Sequence, residues 1–216
     1  MNDKELRQLV VDELEYEPSI DAADIGVAAE NGVIVLSGHV ADYAQKVAAE
    51  RATWRVKGVK AIAQKIEVRL PGDKQQNDDE IAQRALDIIA WSTSLPHDCI
   101  RVKVADGWVT LSGSVNWNYQ REAAENEVRR LGGVKGITND IKLASGVQVG
   151  DLKRRIVEAL KRQAQIEAEA VHVDLVGDDQ VRLEGRVDNW SELQAVKRAV
   201  WAAPGVRSVE DRLRIG

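Results

Sequence analysis

Phenylalanine is absent from the 216 residues, and there is one cysteine, Cys99. Without Phe, any core must be built from Val, Ile, Leu and Ala. A lone cysteine excludes an internal disulfide framework and a cysteine metal cage. No apolar run approaches the roughly 18 residues that read as a membrane span, so no transmembrane segment is expected. A basic excess is missing as well. Residues 1–71 carry 9 Lys or Arg against 12 Asp or Glu, residues 80–146 carry 8 of each, and residues 147–216 carry 12 of each. This balance excludes a general nucleic-acid binder. The opening MNDKELRQLV has neither the basic region nor the apolar core of a signal peptide. As written, the chain is expected in the cytoplasm; removal of an export signal would make the expected address periplasmic.

What is present is repetition. GVIVLSGHV (32–40), GWVTLSGSV (107–115) and QVRLEGRV (180–187) are three copies of one strand. Each is followed by a helical stretch, a Gly-Val step (Gly58-Val59, Gly133-Val134, Gly205-Val206) and a closing strand. A period of about 70 residues is too long for a solenoid unit and long enough for a small domain. The expected boundaries are 1–71, a linker 72–78, 79–145, a short junction 146–150, and 151–216. Domains this small are marginally stable alone, so packing between repeats is expected to matter.

Each repeat reads helix, strand, strand, helix, strand. In the first, Asp3 is expected to cap a helix with its apolar stripe at Leu6, Val10 and Leu14, ended by Pro18. Ile25, Val27 and Ala29 alternate, as do Val33, Val35 and Ser37 or their neighbours. Asn31-Gly32 between them signals a type I′ hairpin turn, and Asp106-Gly107 repeats it. The third turn, 177–179, is a residue longer. Asp42 starts a second helix carrying Ala48, Ala52 and Val56, with Gly58 as its C-cap. Leu152, Ile156 and Leu160 mark the first helix of the third repeat. Gly38, Gly113 and Gly185 are expected where strand two leaves the sheet, at a bend or close approach. With Gly58, Gly133 and Gly205 they read as scaffold, because a phosphate cradle would need a clustered glycine loop.

Catalysis finds little support. His39, His97 and His172 fall at unrelated places in their repeats, and Cys99 lies near His97 and Asp98 only in a loop. No catalytic residue, metal site or cofactor is expected. Lys153, Arg154, Arg155, Lys161 and Arg162 read as a solvated helix face.

The aromatic residues differ between copies. Counted from the Gly-Val step, Trp54 and Trp201 coincide near the end of helix two, where the middle repeat has Arg129. Tyr43 and Trp190 coincide near its start, where the middle repeat has Trp117 and Tyr119 flanking Asn118. Helix one of the middle repeat carries Ile88 and Trp91 beyond its core stripe of Ile81, Ala85 and Ile89. Either these side chains pack against a neighbouring repeat, or they insert at a lipid headgroup boundary, where an apolar ring with a polar N–H is favoured.

The ordered pattern (helix, a hairpin ending in LSG or LEG, a helix, Gly-Val, a strand ending in I-x-V or I-x-L) resembles the BON domain, three times over. The resemblance implies an α+β fold with two helices on one face of a three-stranded sheet. It also implies a non-catalytic protein of the bacterial envelope, associated with osmotic or envelope stress and phospholipid binding, and in some members with chaperone-like or ion-binding behaviour. Two readings follow. One is peripheral contact with anionic phospholipid through Ile88, Trp91, Trp117 and Tyr119, with Trp54, Trp190 and Trp201, helped by Arg121, Arg129 and Arg130. The other is a cytoplasmic protein-interaction or chaperone-like scaffold with protein partners. Oligomeric state is not encoded in any of these features.

Overall fold

The computed structural model describes residues 2–70, 72, 77–144, 151–163, 166–176 and 179–216. Most of the expected linker, the junction 146–150 and the first two residues of the third hairpin turn lie outside them.

The element order repeats three times. The first repeat is α1 (Asp3–Tyr16), β1 (Ile25–Glu30), β2 (Val33–Val40), α2 (Tyr43–Arg55) and β3 (Ala61–Val68). The second is α3 (Asp78–Trp91), β4 (Ile100–Ala105), β5 (Trp108–Val115), α4 (Asn118–Val128) and β6 (Gly136–Leu143). The third is α5 (Leu152–Lys161), β7 (Val171–Val176), β8 (Gln180–Val187), α6 (Trp190–Trp201) and β9 (Ser208–Ile215). Three three-stranded sheets result, ordered β1-β2-β3, β4-β5-β6 and β7-β8-β9. The fold is α+β, as the repeat predicted.

By its contacts the chain divides into two compact units, and the division runs through the middle repeat. One is Met1–Thr93, Arg101–Ser112 and Ala124–Asp140; the other is Ser94–Ile100, Gly113–Ala123 and Ile141–Gly216.

In the first unit, α1 packs on β1 and α2, and α2 packs on β3. Leu6, Val10 and Leu14 are buried, as their spacing requires. The N-cap is not Asp3 but Asn2, which forms a capping box with Glu5: each side chain takes the other's backbone N–H. Asp3 instead accepts the Asn31 N–H of the hairpin turn at 3.0 Å. Asp78 does the same in the next repeat, taking the N–H groups of Asp106 and Gly107 at 2.7 and 2.8 Å. The turns have positive φ at both central residues, 53° and 84° at Asn31-Gly32, 52° and 78° at Asp106-Gly107, as a type I′ turn demands. That turn pairs Glu30 with Val33 and so sets the phase of β2. Ile34 and Leu36 therefore face the helices, and Val33 is exposed; the inward set is the neighbours of Val33, Val35 and Ser37. On α2 the buried stripe is Ala49, Ala52 and Thr53 rather than Ala48, Ala52 and Val56. Thr53 satisfies its hydroxyl by donating to the Ala49 carbonyl at 2.8 Å.

In the second unit, α5 and α6 pack together over β7, β8 and β9. Its core is Leu152, Ile156, Leu160, Val173, Val181, Leu183, Val196 and Val200, with partners around them. The basic helix α5 is solvated and ion-paired: Lys153 meets Asp174 at 2.9 Å, and Arg154 meets Asp151 and Glu158.

The Gly-Val step has a job in all three repeats. Gly58 lies two residues past the C-cap Val56, so it turns the chain after the cap instead of forming it. Gly58, Gly133 and Gly205 have φ of 99°, 92° and 100°. Each lets the next valine enter the core and the following basic residue return to the hairpin. Lys60 N–H donates to Gly32 O at 2.8 Å, Lys135 to Gly107 at 2.9 Å, and Arg207 to Asp179 at 2.8 Å. The glycines of LSG and LEG are also positional, but strand two does not leave the sheet there. β2 runs through Gly38 to Val40, pairing with β3 beyond the end of β1.

Candidate functional site

The expected site residues divide between three places. At the end of α3, Trp91 is 89% exposed and Ile88 is half-buried. Packing against a neighbouring repeat therefore does not account for Trp91. The wider apolar arc of α3 also leaves Leu86 exposed. Tyr16, which holds the same position on α1, is 84% exposed.

The second place is a groove in the second unit, between the start of α4 and the end of α6. Trp117, Asn118, Tyr119, Glu122, Arg198, Trp201 and Ala202 line a space of about 520 Å³. Trp117 and Tyr119 remain exposed. Trp201 leans on the core of its own repeat, as does Trp190. The Arg121 guanidinium lies 4.9 Å from the Trp201 ring centroid. A cation over an indole face at this distance is attracted by the ring quadrupole, by about 0.5–1 kcal/mol where solvent is near. Arg121 is thus engaged with an aromatic ring instead of standing as a lone surface cation. Asn118 is 4% exposed; its amide N–H donates to Glu122 at 2.7 Å, and its Oδ1 has no partner among the described residues.

The third place is a groove in the first unit, between the start of α2 and the end of α4. Glu17, Ser19, Asp42, Gln45, Arg51, Arg55, Asn126, Arg129 and Arg130 are among its lining, around a space of about 490 Å³. Arg129 is 9% exposed, whereas Arg130 is exposed. Burial, and then the like charge of Arg51, hold the Arg129 guanidinium below its ordinary value. Tyr43 nearby is shifted upward, by burial first and the Glu125 carboxylate second. Trp54 packs on the first repeat's own core.

These two grooves are one groove used twice. Counted from the Gly-Val step, Asn126, Arg129 and Arg130 hold the positions of Arg198, Trp201 and Ala202. Asp42 and Ala44 hold those of Trp117 and Tyr119. In each unit, the end of one repeat's second helix faces the start of the previous repeat's second helix. One copy is cationic and the other aromatic.

Arg51 and Arg198 escaped the sequence reading, which noted Asn118 only as the residue between Trp117 and Tyr119. Arg51 and Arg198 sit at equivalent positions, so aligning cations as well as aromatics would have found them. Trp108 was missed too. Its ring covers Gly136, where an added Cβ would sit 2.4 Å from it, and its N–H donates to Thr138 at 2.8 Å.

A helix N-cap tie recurs at the third position of every second helix. Gln45 accepts from Asp21 N–H at 3.1 Å. Gln120 accepts from Asn116 and Trp117, each at 3.1 Å. Glu192 accepts from Glu167 and Asp188 at 2.9 and 2.8 Å. His39 Nε2 lies 3.4 Å from Asp24 Oδ2, and among the described residues no cluster of three His, Cys, Asp or Glu suits a metal ion. Among the described residues no helix is long and apolar enough to cross a membrane.

Fold and repeat define a tandem array of three small α+β domains, each with two helices over a three-stranded sheet. The BON domain profile matches residues 2–69, 77–145 and 148–216; the chain belongs to that family, in three copies. It is similar to the Osmotically-inducible protein Y of Escherichia coli (strain K12), 30% identical over 151 residues, covering 66% of this chain and 73% of that protein. Two solved structures of CdsD, a structural protein of the Type III secretion system of Chlamydia trachomatis, align over 98% and 100% of this chain. They cover 93% and 100% of the solved chains, the second being the C-terminal domain of CdsD, at 14% and 13% identity and TM-scores of 0.26 and 0.27.

Proposed function

We propose that the chain is a non-catalytic bacterial binding protein of the osmotic stress response that docks peripherally on anionic phospholipid of the cell envelope. The family and the name of its relative support the stress association. The observation that carries the binding mode is the exposure of Trp91, 89%, on a helix whose core stripe of Ile81, Ala85 and Ile89 is buried. An indole at a headgroup boundary buries its ring and keeps its N–H hydrated. Full burial of a large apolar side chain contributes about 1.5–3 kcal/mol, so one such contact binds weakly and several linked contacts gain by avidity. Trp117 and Tyr119 supply a second contact.

Co-sedimentation with vesicles containing phosphatidylglycerol tests this. The wild type is expected in the pellet, with Trp91→Ala lowering partitioning about tenfold, as expected for a loss of about 1.4 kcal/mol. A wild type that stays in the supernatant, or a Trp91→Ala, Trp117→Ala double variant that binds equally well, removes the reading.

The groove of the second unit favours a second reading, a protein-interaction scaffold. Its aromatic walls suit an apolar peptide segment. This reading predicts suppression of client aggregation without lipid, lost in Tyr119→Ala.

A further inference from the structure

The cationic groove of the first unit is not explained by the aromatic contacts. Arg129 is buried to 9% exposure, its Nη2 donates to Asn126 Oδ1, and its Nε is buried with no partner among the described residues. A buried guanidinium donor left unpaired is unfavourable. Arg51 and Arg130 line the same groove, and both repel Arg129. None of the three forms an ion pair among the described residues.

The acidic residues of the groove are already committed. Glu17 holds Arg55 at 2.9 Å, with Glu13 on the same guanidinium at 2.8 Å. Asp42 caps α2, accepting from Gln45 N–H at 2.9 Å. Glu125 attracts Arg129 from further away and takes a hydrogen bond from Asn139 at 3.2 Å. The side chains that line the groove carry four guanidiniums, Arg51, Arg55, Arg129 and Arg130, against the two carboxylates Glu17 and Asp42, a charge of about +2 at its surface, with Glu13 and Glu125 behind it. A monoanion would leave that charge half-compensated. A dianion with several acceptor oxygens satisfies it and matches the donor forks of arginine.

We propose that this groove is an oxyanion site that takes a phosphate group, with the guanidiniums of Arg51, Arg129 and Arg130 as its donors. The space of about 490 Å³ exceeds a bare phosphate and admits a phosphate carried on a larger molecule. The sister groove has Trp201 in place of Arg129 and Ala202 in place of Arg130, so the site belongs to one groove of the two.

The test is thermal unfolding of the full chain in inorganic phosphate against chloride of equal ionic strength, with affinity measured by calorimetry. At about 20 mM phosphate and a Kd of about 1 mM, binding favours the folded state about 20-fold, a rise of about 4–7 °C. Arg51→Gln and Arg130→Gln, both at exposed positions, are expected to weaken phosphate at least tenfold. Arg129→Trp installs the residue that Trp54 and Trp201 place at that position. It is expected to melt no lower than wild type in chloride and to show no phosphate shift.

No wild-type shift beyond chloride, or undiminished affinity in Arg129→Trp, would overturn the proposal. Vesicles of phosphatidylcholine with and without phosphatidic acid identify the source. Competition by the phosphatidic acid vesicles assigns the site to a lipid headgroup, and phosphate binding without such competition assigns it to a soluble phosphate. Trp91→Ala and Trp117→Ala should retain wild-type phosphate affinity, so the aromatic reading and this one can fail separately.

Discussion

Replacing the LSG or LEG glycine by alanine should unfold the repeat that contains it. Gly38, Gly113 and Gly185 have φ of 107°, 133° and 131°. An L-residue with φ in this range is strained by about 1–3 kcal/mol. Steric overlap adds to that strain. An added Cβ would lie 1.9 Å from Asp24 O, 2.0 Å from Cys99 O and 2.1 Å from Ala170 O. Such a Cβ cannot be accommodated in place, so the backbone must shift where the first strand begins. In the middle repeat that shift also removes the Ser114 N–H bond to Cys99 O, 3.2 Å long. A lost backbone hydrogen bond adds about 0.5–1.5 kcal/mol. Strain and the lost bond together come to about 1.5–4.5 kcal/mol, before the steric overlap is counted. A domain of this size holds about 0.05–0.15 kcal/mol per residue, so the loss is a large share of its stability. The assay is urea unfolding followed by far-UV circular dichroism. Gly38→Ala should introduce an early transition covering the share of the signal that one repeat of the three contributes, and the same is expected for Gly185→Ala. The three sites are internal replicates. A variant that unfolds with the wild-type midpoint and slope at any of them would refute the steric argument, because the geometry is the same in each.

Two further outcomes are expected. Glu192 is buried and takes two backbone N–H groups, so Glu192→Ala should lose about 1–3 kcal/mol, in line with two lost hydrogen bonds. Glu192→Gln should lose much less, since Gln45 and Gln120 hold the same position; equal losses would show that charge, not acceptor geometry, matters. Arg55 holds the Glu17 carboxyl below its ordinary value, chiefly by their hydrogen bond. A carboxyl depressed by folding adds stability above its unfolded value, about 4.3, and loses it as pH falls through the folded value. The gap between Arg55→Gln and wild type should therefore narrow as pH drops from about 6 to about 3, with the Glu17 carboxyl of the variant titrating higher by NMR. A gap independent of pH would remove that linkage.

Much of the fold was legible because its punctuation is local. Asn31-Gly32 and Asp106-Gly107 specify their turns by backbone preference alone, and the α1 and α3 stripes follow from helical period. The missed details depend on contacts distant in sequence. Asp3 looks like a cap, but Asn2 wins because it forms a reciprocal box with Glu5, and Asp3 then reaches the hairpin 28 residues on. The LSG glycine looks like the end of a strand; only the carbonyl of Asp24 reveals why alanine cannot sit there. The aromatic decoration was legible as difference between copies, but exposure was not. Trp54 and Trp91 are both tryptophans near a helix end, yet one packs on a core and the other stands in solvent. The groove was invisible because its two sides come from different repeats, and periodicity within one repeat carries no record of its neighbour.

The sheet order also bears on synthesis. In the first and third repeats the first two strands form an antiparallel hairpin, and the last pairs in parallel with the middle one. Each of the three sheets is built from the strands of its own repeat and borrows none from another copy. A ribosome releasing about 5–20 residues per second delivers a finished first sheet before the second has begun to pair. Three similar hairpins on one chain would otherwise be candidates for mispairing; the vectorial order of release closes each sheet before its competitor exists.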